Sequence, residues 1–82
     1  MYQISVSKED IQNGERFSST SCPIAKAIKR KVEWCTVDNR RVIIEETPGG
    51  KFSQYDLPLI AREFVNSFDN CRAVKPFTFH LK

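Results

Sequence analysis

The sequence predicts an α+β domain: a single small unit with an antiparallel or mixed sheet of four to five strands and two main helices. Three observations carry that expectation. The first and last segments alternate apolar and polar residues with a period of two, as half-buried strands do. The stretch after Asp56 repeats its apolar residues at helical spacing. Between them, strong turn signals divide the chain into short extended runs.

In the first segment, Tyr2, Ile4 and Val6 share one face of a strand spanning Tyr2 to Ser7. Ser7 followed by Asp10 three residues later is an N-cap pattern, so Lys8 to Asn13 forms a short helical turn that Gly14 ends. Residues 15–21 read as a loop. Cys22-Pro23 then opens a helix, because proline is welcome in the first turn, where its missing N–H has no intrahelical acceptor to lose. Ile24, Ile28 and Val32 make one stripe, Lys26, Lys29 and Arg30 the other face, and the helix runs from 22 to about 32.

Trp34 to Val37 is strand-like, Asp38-Asn39 is a tight turn, and Arg40 to Glu46 is a second strand. Thr47-Pro48-Gly49-Gly50 is the strongest breaker, after which Lys51 to Tyr55 adds a short third strand. Asp56 caps the clearest helix, in which Leu57, Ile60, Ala61, Phe64, Val65 and Phe68 follow an i, i+3, i+4, i+7, i+8, i+11 stripe that closes near Asp69-Asn70. Leu59 falls off that stripe. Phe77, Phe79 and Leu81 alternate with Thr78, His80 and Lys82 in a final strand. The order strand, helix, strand, strand, helix, strand is also the ferredoxin-like order.

With 82 residues there is room for one domain, residues 1–82, and a modest core. A composition of 40% hydrophobic and 28% charged residues, with three Gly and four Pro, excludes disordered and collagen-like chains. No apolar run approaches the roughly 20 residues of a membrane span. The first ten residues lack a basic segment followed by an apolar one, so a cytoplasmic rather than secreted protein is expected. Three cysteines, Cys22, Cys35 and Cys71, do not make an even disulfide framework and fit a reducing compartment. With no C-x-x-C pair and one histidine, His80, no metal site is expected, and no motif points to a cofactor.

Catalysis has one foothold. Cys22 at a helix start, with Lys26 one turn on, is a candidate reactive thiol, since helix N-termini and nearby cations favour a thiolate. A hydrolase needs a base as well, and the only imidazole, His80, lies on the outward face of the last strand. The expectation is that the protein is not an enzyme.

Charge placement says more than net charge. Thirteen Lys and Arg against ten Asp and Glu give +3. Residues 22–41 hold six basic and two acidic side chains, a local +4, whereas the rest of the chain is net −1. Lys26, Lys29, Arg30, Arg40 and Arg41, with Trp34 beside them, are therefore the candidate binding residues. A Trp among basic residues anchors protein interfaces or stacks on bases; the competing reading is a solvated face balanced by Glu33, Asp38, Glu9, Asp10 and Glu15. The leading expectation is a cytoplasmic binding protein acting through a protein partner. The alternative is a nucleic-acid-binding module using the same residues against phosphates. Oligomeric state stays open, with aromatic residues at 2, 17, 34, 52 and 55 outside the helical stripe.

Two blocks bear a resemblance. Asn13-Gly14-Glu15-Arg16 leading into Cys22-Pro23-Ile24-Ala25-Lys26-Ala27, together with Leu57-Pro58 through Phe64, Phe68-Asp69 and Val74-Lys75-Pro76-Phe77-Thr78-Phe79, resembles small uncharacterised proteins of bacteriophages, prophages and bacterial genomes. Those proteins share an N-G-x-R…C-P-[IV]-A-x-A block and an F-D…V-x-P-F-x-F block. The resemblance brings no known activity, cofactor or substrate. It implies a context, in which such accessory proteins act by binding a host or phage macromolecule. Trp34 to Tyr55 lies outside it.

Overall fold

The computed structural model describes residues 2–82. It is an α+β domain of three helices and five strands. In chain order these are β1 (Tyr2–Val6), α1 (Lys8–Asn13), α2 (Pro23–Lys29), β2 (Trp34–Val37), β3 (Arg41–Glu45), β4 (Phe52–Asp56), α3 (Leu59–Asp69) and β5 (Phe77–Leu81).

The strands divide between two antiparallel sheets instead of sharing one. β1 pairs with β5, and β2-β3-β4 form a meander. The ferredoxin-like arrangement is therefore not adopted, because β1 finds its partner only in the C-terminal strand. Each sheet has an inner and an outer side. Ile4 and Val6 face inward with Phe79 and Leu81, while Gln3, Ser5, Thr78 and His80 face out. In the meander, Cys35, Val37, Val42 and Ile44 are buried. These residues join Ile24, Ala25, Ala27 and Ile28 of α2 and Ala61, Phe64 and Phe68 of α3 in one core.

Local chemistry explains the element ends. Ser7 and Asp10 form a reciprocal capping box: Ser7 Oγ accepts from the Asp10 amide (3.1 Å) and Asp10 Oδ2 from the Ser7 amide (2.8 Å). Gly14 ends α1 with an ordinary φ of −74°, so conformational freedom is not what glycine supplies there. A Cβ at that position would lie 2.5 Å from the Pro23 ring, so the glycine lets the start of α2 close against the end of α1. Thr47 to Gly50 is a β-turn with Pro48 second and a left-handed Gly49 third (φ +73°), closed by the Gly50 amide donating to Thr47 O (2.9 Å).

Two helix boundaries differ from expectation. α2 ends at Lys29, not near 32, although Val32 is still buried. Asp56 does not cap α3: it ends β4, and α3 starts at Leu59 after Pro58 without a side-chain cap. The Leu57 amide instead donates to Arg40 O (2.8 Å), which pins Leu57 in the core and delays the helix. Ile60, expected on the apolar stripe, is consequently exposed in the first turn along with Leu59. At the other end, α3 closes in a Schellman motif, Arg72 N–H to Ser67 O and Cys71 N–H to Phe68 O, with Cys71 in the left-handed position that usually favours glycine.

Candidate functional site

The basic residues of positions 26–41 do not form one patch. Cys35 donates its thiol to Ala25 O (3.7 Å), so α2 lies on the inner side of the meander. Trp34 and Arg41 alternate to the opposite, outer side. The expected surface is thereby split by the sheet itself: Lys26, Lys29 and Arg30 on one side, Trp34 and Arg41 on the other.

Two of the helix cations also have structural work. Arg30 donates from Nη1 to Asp10 Oδ1 (2.6 Å), and from Nη2 to Asp10 Oδ2 (2.8 Å) and Ser5 O (2.7 Å). It clamps α2 to α1 and β1, a tertiary tie that the reading of Arg30 as a binding residue does not include. Lys29 Nζ donates to Thr20 O and steadies the loop before α2. Lys26 is half-buried. The Arg40 and Arg41 amides both donate to Asp38 Oδ1 (2.7 Å each), which shapes the β2–β3 turn, and Arg41 stands opposite Asp56 on β4.

The candidate reactive thiol, Cys22, lies in the core. Cys22 does sit at the N-cap of α2, where Sγ accepts from the Ala25 amide (3.4 Å), yet only 7% of the residue is exposed. Burial pushes its pKa up, and the helix-end amides offset this only in part. Desolvation likewise pushes Cys35 up to about 11. His80 lines a different cleft, with Tyr55 and Lys82, and meets no thiol there. Cys71 is the exposed cysteine. Alkylation at neutral pH without denaturant is expected to modify Cys71, with Cys22 and Cys35 reacting only on unfolding; peptide mapping by mass spectrometry reads this directly, and prompt labelling of Cys22 would contradict its burial. Among the described residues, no cluster of three or more His, Cys, Asp or Glu side chains is placed to hold a metal ion.

The outer side of the meander holds the most distinctive surface. Its rows follow from the register: Trp34, Glu45 and Phe52 lie across the three strands at one end, Thr36, Ile43 and Gln54 in the middle, Arg41 and Asp56 at the other. Trp34 is 38% exposed and Phe52 62%. Their rings meet edge to face, centroids 5.8 Å apart and planes at 77°. The Thr47–Gly50 turn folds beside them, so that Glu33, Trp34, Glu45, Pro48, Gly49 and Phe52 line an open cleft of about 440 Å³.

The sequence marks Phe52 as an aromatic residue outside the helical stripe, but it places neither Phe52 nor Glu45 in the candidate site. The signal was present in the hairpin lengths, since a meander with these turns brings residue 52 into the row of residue 34. A second hollow of about 220 Å³ at the α2–α3 junction is lined in part by Cys22, Phe17 and Asp69 and is smaller than typical ligand sites. No helix of the described chain is long and apolar enough to cross a membrane.

The geometry defines a small α+β domain with an exposed aromatic pair on an open sheet face. Compared with protein-family models, curated proteins and solved structures, the chain matches none.

Proposed function

We propose that this chain is a small, non-catalytic cytoplasmic binding protein, of the phage-related kind its sequence blocks suggest, that docks a protein partner on the outer side of β2-β3-β4. The observation that carries this reading is the exposed Trp34–Phe52 pair. Large aromatic side chains on an uncovered face are the usual anchors of protein interfaces, where they contribute area at low conformational cost. Arg41, on the same side, supplies a polar contact toward the far end. Three free thiols suit a reducing compartment.

The nucleic-acid alternative loses its support on this face. A stacking platform for bases needs cations beside it for the phosphates, and the side chains nearest Trp34 in its cleft include Glu33 and Glu45 instead.

Affinity capture from lysate of the producing cell, with nuclease treatment, tests the proposal. A discrete protein should survive nuclease and be lost with Trp34→Ala, roughly thirtyfold weaker if Trp34 is an interface anchor worth about 2 kcal/mol. Capture that disappears with nuclease, or that is indifferent to Trp34→Ala, overturns it.

A further inference from the structure

The aromatic cleft is acidic. The chain is net positive, yet two of the six residues lining this cleft are carboxylates and none is basic. Glu45 occupies the central strand directly between Trp34 and Phe52, and Glu33 adjoins Trp34. Among the described residues the one ion pair is Arg30–Asp10, so neither Glu33 nor Glu45 is neutralised from within the chain. Arg41 shares their side of the sheet but stands at its other end, opposite Asp56.

We infer that the Trp34–Glu45–Phe52 row receives an arginine side chain of the protein partner; this rests on the docking reading above. Aromatic faces carry negative potential and attract a cation lying within about 6 Å of the ring centroid. Trp34 and Phe52 meet nearly perpendicular in the open cleft, and Glu33 and Glu45 line it with them, so ring faces and opposite charge lie side by side. A guanidinium is the cation that uses both parts, because its plane stacks on a ring while its edge donates two parallel hydrogen bonds to a carboxylate. The same molecule already places one guanidinium over a ring internally, that of Arg16 at 5.9 Å from the centre of the Phe68 ring. A phosphate group would meet Glu33 and Glu45 and be repelled.

Trp34 is the only tryptophan, so its fluorescence reports the cleft without a label. The test titrates the whole chain with an acetylated hexa-arginine amide, a hexaglutamate amide and a single-stranded oligonucleotide at low salt. The expected result is a saturable Trp34 response to the arginine peptide alone, weakened about tenfold by Phe52→Ala and by Glu45→Gln. Glu45→Gln keeps the shape of the side chain, and circular dichroism verifies that each variant is folded. No saturable response, a response untouched by Glu45→Gln, or a preference for the oligonucleotide overturns the inference. If the arginine peptide fails while capture of a protein still depends on Trp34, arginine recognition falls and the docking face stands. If capture is also indifferent to Trp34→Ala, both fall.

Discussion

Phe64→Ala is expected to lower the unfolding free energy by about 3–5 kcal/mol. The ring is buried on the inner side of α3. It lies 4.8 Å from the Phe77 ring of β5 and stacks at 6.0 Å, within 5° of parallel, on Phe68 one turn along the helix. Phe77 in turn stacks on Phe79 at 5.4 Å. This run of rings fastens α3 to the β1–β5 sheet, and truncating its middle member removes both area and ring–ring contacts. A domain of this size is stable by roughly 4–12 kcal/mol, so the loss takes much of the total. Urea denaturation of the wild type and variant reads it as a shift in midpoint at similar slope. Phe64→Leu, which refills most of the volume, should cost less than half as much; equal losses would mean that the site is not packed as described.

Asp10→Ala should cost about 2–3 kcal/mol, from the capping box and from the guanidinium it holds. Asp10 is only 5% exposed, yet it accepts from the Ser7 amide and twice from Arg30. Arg30 is half exposed and recovers water when its partner is lost, which keeps the figure from being larger. The pH dependence follows in sign. Burial alone would raise the Asp10 pKa, but the bonds from Arg30 and Ser7 outweigh it and hold the carboxyl below its ordinary value. A carboxyl depressed in the folded state stabilises above its unfolded pKa of about 3.9, and that contribution is lost as pH falls through the folded value. The stability gap between wild type and Asp10→Asn should therefore be full at pH 5–7 and narrow below about pH 4. A gap independent of pH would show that the charge of Asp10 contributes nothing. A double-mutant cycle with Arg30→Ala isolates the pair itself.

Much of the fold was legible because local rules and tertiary packing agree. The alternation in Tyr2–Val6 and Phe77–Leu81 named the buried faces correctly, since a period of two leaves one side of a strand for the core. Ser7 and Asp10 announced a capping box that needs only four consecutive residues. The α3 stripe was legible from Ala61 onward but not at its start, where a hydrogen bond from Leu57 to distant Arg40 moved the helix by two residues.

The site was legible only in part. The sequence puts Trp34 in the company of cations, but adjacency in sequence is not adjacency on a sheet surface. Strand alternation then sent Trp34 to the side away from α2, and strand pairing gave it Glu45 and Phe52 as neighbours. Arg30 illustrates the same limit: local spacing leaves it a candidate binding residue with Asp10 as one of several acids that could balance it, and the fold pairs it with Asp10, twenty residues earlier.

By itself the sequence determined the α+β class, the extents of most elements and which side of each is apolar, because these depend on spacings of two to four residues. Tertiary structure alone decided that the strands split into two sheets, that Cys22 and Arg30 serve the core and its clasp, and that an aromatic pair flanks a carboxylate on an open face. Those outcomes depend on pairings across turns and between residues up to seventy-nine positions apart, which the period of the apolar residues does not specify.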